Sequence, residues 1–309
     1  MIGVYILIGL FVVGYLILYF IYRIAFLRGD KPSSLFSIKF TKEQEKKKNL
    51  ILKELVSYFK KDNEEVYIDS FDGLKLYGKL YILDKKKPIF ICFHGYKGNI
   101  YDNQIGIKKI CFENDINILM VNQRSHGKSE GKSITFGINE RRDVQSWANY
   151  VAKRFPDNKI ILVGTSMGGA SVLMASDLAL PNNVCGIVAD CPFSSPLDVV
   201  KGYLNKKGIP MSLGLNLVCM SALLVGRFDL KSHDCISSIK KSKVDILLIH
   251  SEEDSVVSCS NSRELHDKSR NNTTLEIFNG ADHGVSYLSD EERYTKIILD
   301  FIKKVNKWK

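Results

Sequence analysis

Proline is scarce, at 7 residues in 309, and internal repeats and low-complexity tracts are absent, which excludes collagen-like and disordered chains. The seven cysteines, Cys92, Cys111, Cys185, Cys191, Cys219, Cys235 and Cys259, are odd in number, scattered, and include no C-x-x-C pair. That pattern fits neither a disulfide framework nor a zinc site and points to a reducing compartment. H-E-x-x-H, dinucleotide-binding and Walker motifs are missing too, so no metal and no cofactor is expected. What is present, 45% hydrophobic and 25% charged residues, suits a globular chain with a sizeable core. Lys and Arg outnumber Asp and Glu by 44 to 34, which favours an anionic partner. No nucleic-acid recognition motif accompanies that charge, and no nucleic acid is expected as a partner.

Residues 1–22 carry no charged side chain, and at 1.5 Å rise per residue such a helix crosses a hydrocarbon core of roughly 30 Å. A cleaved signal peptide would have a basic start, a shorter apolar stretch and a small-residue cleavage site, so a retained single-pass transmembrane anchor is the expectation. Arg23, Arg28 and Lys31 follow the span with nothing basic before it, which places the remainder on the cytoplasmic side of the membrane. Residues 23–62 form the next unit, with Lys-Pro-Ser-Ser as a breaker and then a basic amphipathic segment in which Leu50, Ile51, Leu55, Val56 and Phe59 fall near helical spacing. Two readings stay open for it: a helix resting on anionic headgroups, or one packed on the domain with its lysines solvated.

Residues 63–309 alternate short β-rich runs with helical stretches, the pattern of an α/β fold. Two runs joined across Phe71-Asp72-Gly73 predict an antiparallel hairpin at the leading edge. PIFICFHG, NINILMVN, KIILVG, VCGIVADC and DILLIHS then predict buried parallel strands, with helices over 107–114, 138–155 and 168–180.

The chemistry gathers where those strands end. Gly164-Thr165-Ser166-Met167-Gly168 joins a buried strand to a helix, so Ser166 sits on a tight turn as a candidate nucleophile. A serine hydroxyl requires a base, and the base an orienting carboxylate. Asp254 follows the strand DILLIHS and His283 follows TTLEIFNG, giving the acid and base in the order Ser166, Asp254, His283. Glu253 and Asp282 are alternatives for the acid, although Asp282 adjoins the base in sequence and is poorly placed to meet its ring. His94 and His126 are expected to organise loops.

Together with His94-Gly95 and the stretch from Asn122 to Gly131, these residues resemble the α/β-hydrolase superfamily over about residues 66–304, and most of all its bacterial membrane-anchored branch related to serine aminopeptidases and monoacylglycerol lipases. The resemblance implies a mostly parallel sheet with helices on both faces, and an oxyanion hole from the backbone N–H groups of Tyr96 and Met167. Two positions depart from the family, which usually has glycine where Ser125 and Ser251 stand, and both bear on loop geometry. The insertion at about residues 197–240, with its apolar run from 209 to 225, is expected to supply lid helices over the acyl site; a plain crossover helix with a long loop is the alternative. The expected activity is serine hydrolysis of lipid-like or medium-chain carboxylic esters. A peptidase or thioesterase with the same triad, and a membrane-tethered binding protein without turnover, are the rival readings.

Overall fold

The computed structural model describes residues 1–28, 38–101 and 104–306; Lys31 and the Lys-Pro-Ser-Ser breaker lie outside them. The chain runs α1 (Ile2–Ala25), α2 (Lys42–Tyr58), β1 (Glu64–Asp69), β2 (Lys75–Tyr81), β3 (Ile89–Phe93), α3 (Ile105–Glu113), β4 (Asn117–Val121), α4 (Glu140–Arg154), β5 (Ile160–Thr165) and α5 (Met167–Ala175). It continues β6 (Val184–Asp190), α6 (Pro196–Lys206), α7 (Met211–Leu224), α8 (Cys235–Ile239), β7 (Asp245–Ser251), α9 (Ser260–Lys268), β8 (Thr273–Phe278), α10 (Ser286–Ser289) and α11 (Glu291–Asn306).

The eight strands form one sheet in the order β1-β2-β4-β3-β5-β6-β7-β8. The leading pair is antiparallel, in the register Val66 to Gly78, and β2 pairs antiparallel with β4; every later pairing is parallel. Because successive side chains point to opposite faces, a strand buried on both sides feeds two cores. Ile89, Ile91 and Phe93 of β3 join Val144 and Trp147 of α4 and Leu173 of α5 on one face. Phe90 and Cys92 join Ile110 of α3 and Ile298 and Phe301 of α11 on the other.

The helix over 168–180 is shorter than its pattern suggests: α5 ends at Ala175, where the Ser176 N–H turns back to the Leu173 carbonyl, and Pro181 lies ahead to disfavour helical Leu180. In α2 the buried stripe is narrower than the sequence suggests. Ile51 and Leu55 are buried and Tyr58 stacks on Phe112, whereas Leu50 and Val56 are more than half exposed. This helix therefore packs on the domain. Its start is fixed by a capping box, in which Thr41 and Gln44 each accept from the other's backbone N–H.

Helix α1 is long and apolar enough to cross a membrane, with a mean hydropathy of 2.6, and most of it is exposed. Its last turn is different. Phe26 is fully buried and meets the Phe136 and Phe228 rings edge-on, the Tyr22 hydroxyl lies 2.6 Å from Ser133 Oγ, and Arg28 donates to the Ser129 carbonyl. The helix thus ends inside the core of the α/β domain.

Candidate active site

The turn after β5 holds Ser166 at φ 55° and ψ −119°, a conformation that side chains rarely adopt. It is possible only because the residues two positions before and after it are glycine: a Cβ on Gly164 would stand 2.1 Å from the Gly168 carbonyl oxygen, and one on Gly168 would stand 2.0 Å from that of Phe93. The sharp turn lifts the hydroxyl above the carboxyl ends of the strands, where the loops after β7 and β8 also converge.

His283 Nε2 lies 2.8 Å from Ser166 Oγ, and His283 Nδ1 lies 2.7 Å from Asp254 Oδ2. Asp254 itself is fixed from several sides. Its Oδ1 accepts from the Val256 and Val257 N–H groups at 2.8 Å, and His250 Nε2 approaches Oδ2 at 3.2 Å. Burial raises a carboxyl's pKa, but here hydrogen bonds from His250 and His283 outweigh it and hold Asp254 well below the usual carboxylate range. The ion is therefore a permanent acceptor for His283 Nδ1–H, which fixes the tautomer that leaves Nε2 free to take a proton.

The other two candidate acids do different work. Asp282 accepts from the Ser255, His283 and Lys39 N–H groups, stapling the β7 and β8 loops to the segment ahead of α2. Glu253 accepts from the Gly280 N–H at 2.9 Å. His94 and His126 cross-link loops: His94 Nε2 accepts from the Gln123 N–H and His126 Nε2 from the Lys97 N–H, while each Nδ1 faces a nearby carbonyl. Burial lowers both of their pKa values, so both rings are neutral. Arg124 braces the same region through Asp143 and Asp72. Ser125 occupies the left-handed region at φ 63°, as a glycine would, and recovers a hydrogen bond to the Ser133 carbonyl. Ser251 is buried with its Oγ 3.0 Å from Ser286 Oγ.

A cavity of ≈ 370 Å³ opens over Ser166, bordered by both Tyr96 and Met167 and by Phe40, Phe136 and Tyr287. Of the helical insertion only Phe193 beside it and Val199 of α6 reach this cavity; α7 packs instead against α1 and α6. Where the insertion was expected to cover the serine, the cavity is bordered instead by Ile38 and Phe40 ahead of α2 and by Lys48 of α2. Nothing in the sequence around Phe40 signals this role, since it arises from chain packing across more than a hundred residues.

Two further groups under the serine escaped the sequence reading. Cys191 sits at φ 45° with Sγ 3.9 Å from His283 Nε2, and Asp190, at the end of β6, accepts from the Tyr294 hydroxyl at 2.9 Å. Their place at the carboxyl end of β6 was the available signal. Burial pushes Asp190 up to about 6, against the lowering effect of the Tyr294 hydrogen bond. Cys191, Asp254 and His283 are the one metal-type donor cluster among the described residues, their atoms lying within 4.8 Å. Burial and the nearby carboxylates push the Cys191 thiol far above its ordinary value.

Known proteins share this arrangement of strands. The family model for the alpha/beta hydrolase fold matches residues 88–207. YqkD of Bacillus subtilis (strain 168), an uncharacterized protein, is 24% identical over 225 residues, 72% of this chain and 73% of its own length. The Pyrococcus furiosus esterase Pf2001 superposes with a TM-score of 0.65 at 20% identity, over 79% of this chain and 91% of the esterase. The esterase EaEST of Exiguobacterium antarcticum gives 0.58 at 19% identity, over 78% of this chain and all of its own (100%). The family match, the sheet order and the strained serine turn together show that the chain has the α/β-hydrolase fold.

Proposed function

We propose that the protein is a membrane-anchored serine hydrolase that cleaves lipid-like or medium-chain carboxylic esters through an acyl-enzyme on Ser166. The observation that carries the reading is the continuous relay from Asp254 Oδ2 to His283 Nδ1 at 2.7 Å and from His283 Nε2 to Ser166 Oγ at 2.8 Å. As Oγ attacks the ester carbonyl carbon, Nε2 takes its proton, and Asp254 stabilises the imidazolium without accepting the proton. The backbone N–H groups of Met167 and Tyr96 receive the developing oxyanion, the largest electrostatic contribution in such chemistry. His283 then hands the proton to the departing alkoxide. Water enters, loses a proton to His283, and releases the acid from Ser166. The esterase names of two structural neighbours support an ester as the acyl donor.

Residues 1–22 are the membrane anchor of this reading, and the buried Phe26 supports retention over cleavage, because removing α1 would open the core. Arg23 and Arg28 after the span, with seven free thiols, support a cytoplasmic domain over residues 63–309. The test uses the full chain in detergent, with p-nitrophenyl esters of increasing chain length and Ser166→Ala beside the native protein. Turnover is expected to fall on the order of 10⁴-fold or more in the variant. If Ser166→Ala keeps a tenth of the native rate, or if a fluorophosphonate fails to label Ser166, the reading is wrong.

A further inference from the structure

Behind the cavity over Ser166 lies a second one of ≈ 290 Å³. Its walls come from three helices: Ile21 and Ile24 of α1, Tyr203 and Leu204 of α6, and Leu217 and Val218 of α7. Among the described residues no charged side chain lines it, and the Tyr203 hydroxyl is its one polar side-chain group. Water has few partners in such a slot, whereas an alkyl chain loses nothing by entering it.

Phe136 and Val199 border both cavities, so these two side chains are the partition between the slot and Ser166. The Tyr96 ring stacks on Phe136 with centroids 5.1 Å apart, and its hydroxyl donates to the Ala25 carbonyl at the end of α1. The loop that borders the serine is thereby tied to the apolar helix. On the far side the slot is framed by apolar surface. Leu213, Met220, Leu223 and Leu224 of α7 are about half exposed, as is most of α1. An apolar slot that adjoins a nucleophile's cavity at one end and a membrane-length helix at the other has the chemistry of an acyl-chain site.

We propose that the slot between α1, α6 and α7 holds the acyl chain of a membrane lipid ester, which passes between Phe136 and Val199 to present its carbonyl to Ser166, so that the anchor is itself a wall of the substrate site. This rests on the serine-hydrolase reading above. The substrate then enters sideways from the leaflet beside α1, and its leaving group faces the opposite mouth near Phe40 and Lys48.

The test is chain-end mapping on the full-length protein in phosphatidylglycerol and phosphatidylcholine vesicles. A long-chain alkyl fluorophosphonate bearing a diazirine on its terminal carbon reacts as Ser166 Oγ bonds to phosphorus and fluoride leaves; irradiation then links the chain end to whatever it touches. Links to Ile21, Leu217 or Val218 are the expected result. Labelled protein linked instead at Phe40 or Leu288, or to a second copy of the chain, overturns the acyl route and leaves the nucleophile standing. Absence of labelling at Ser166 removes the hydrolase reading and this inference with it. As an independent readout, Val218→Trp should cut the ratio of long-chain to acetyl ester kcat/KM about tenfold or more, while Leu213→Trp, on the outer face of α7, leaves that ratio within about twofold. An unchanged ratio in Val218→Trp overturns the proposal.

Discussion

Asp190 ends β6 and Asp254 follows its neighbour β7, and both carboxyls are shielded from water, yet their protons behave oppositely. Asp254 accepts from two backbone N–H groups and faces two imidazoles, and it stays ionised far into acid. The Asp190 carboxyl accepts from the Tyr294 hydroxyl through Oδ2, while among the described residues its buried Oδ1 has no hydrogen-bond partner, and its pKa rises to about 6. Burial alone therefore does not set the charge of a carboxyl in this site. The number and kind of donors aimed at it decide whether burial wins.

The largest effect that sharpens this contrast is on turnover. Asp254→Asn should lower ester kcat/KM by about 10³ to 10⁴-fold, because an amide cannot hold His283 in the tautomer that serves Ser166. Asp190→Asn should cost no more than about tenfold, and comparable losses in the two variants would break the comparison.

Stability separates the two residues with opposite signs. Asp254 has a folded pKa below its ordinary 3.8, so it stabilises the fold above that value and the contribution is lost as pH falls through the folded value. Asp254→Asn should accordingly melt earlier at pH 7, and the deficit should shrink in acid. Asp190 has a folded pKa raised from 3.8 to about 6, so its contribution is fully present below the ordinary value and lost as pH rises through about 6. Asp190→Asn should therefore be more stable than the native protein at pH 8, by about 1–3 kcal/mol, with no gain near pH 4. Thermal melts across that range check both signs.

The smallest effect concerns one hydrogen bond. Tyr294→Phe removes the donor that lowers Asp190, so the Asp190 carboxyl should titrate at higher pH, as read by carbon NMR of its carboxyl resonance. A shift to lower pH would mean that Tyr294 is not its donor in solution.

Much of the sheet was legible because β3, β5 and β7 are unbroken apolar runs between turn residues, a pattern set by burial on both faces. Helix ends were less legible, since α5 stops where Ser176 finds a local acceptor rather than where apolar spacing ends. In the site, Ser166 could be singled out from its own five residues, for Gly164 and Gly168 are a local steric requirement. Asp190 could be placed at a strand end from the sequence, but its protonation could not be read there, because it depends on Tyr294, over a hundred residues away.

By itself the sequence determined which segments become strands, which turn strains its serine, and which stretch is apolar enough to span a membrane, since each follows from short-range sterics or periodicity. Only the tertiary structure decided that Asp282 staples the β7 and β8 loops to the segment ahead of α2, that Phe40 borders the serine's cavity, and that the apolar helix ends in the core at Phe26. Those outcomes turn on which distant groups share one small volume, and a hydrogen bond or a buried ring is fixed by its partners rather than by its neighbours along the chain.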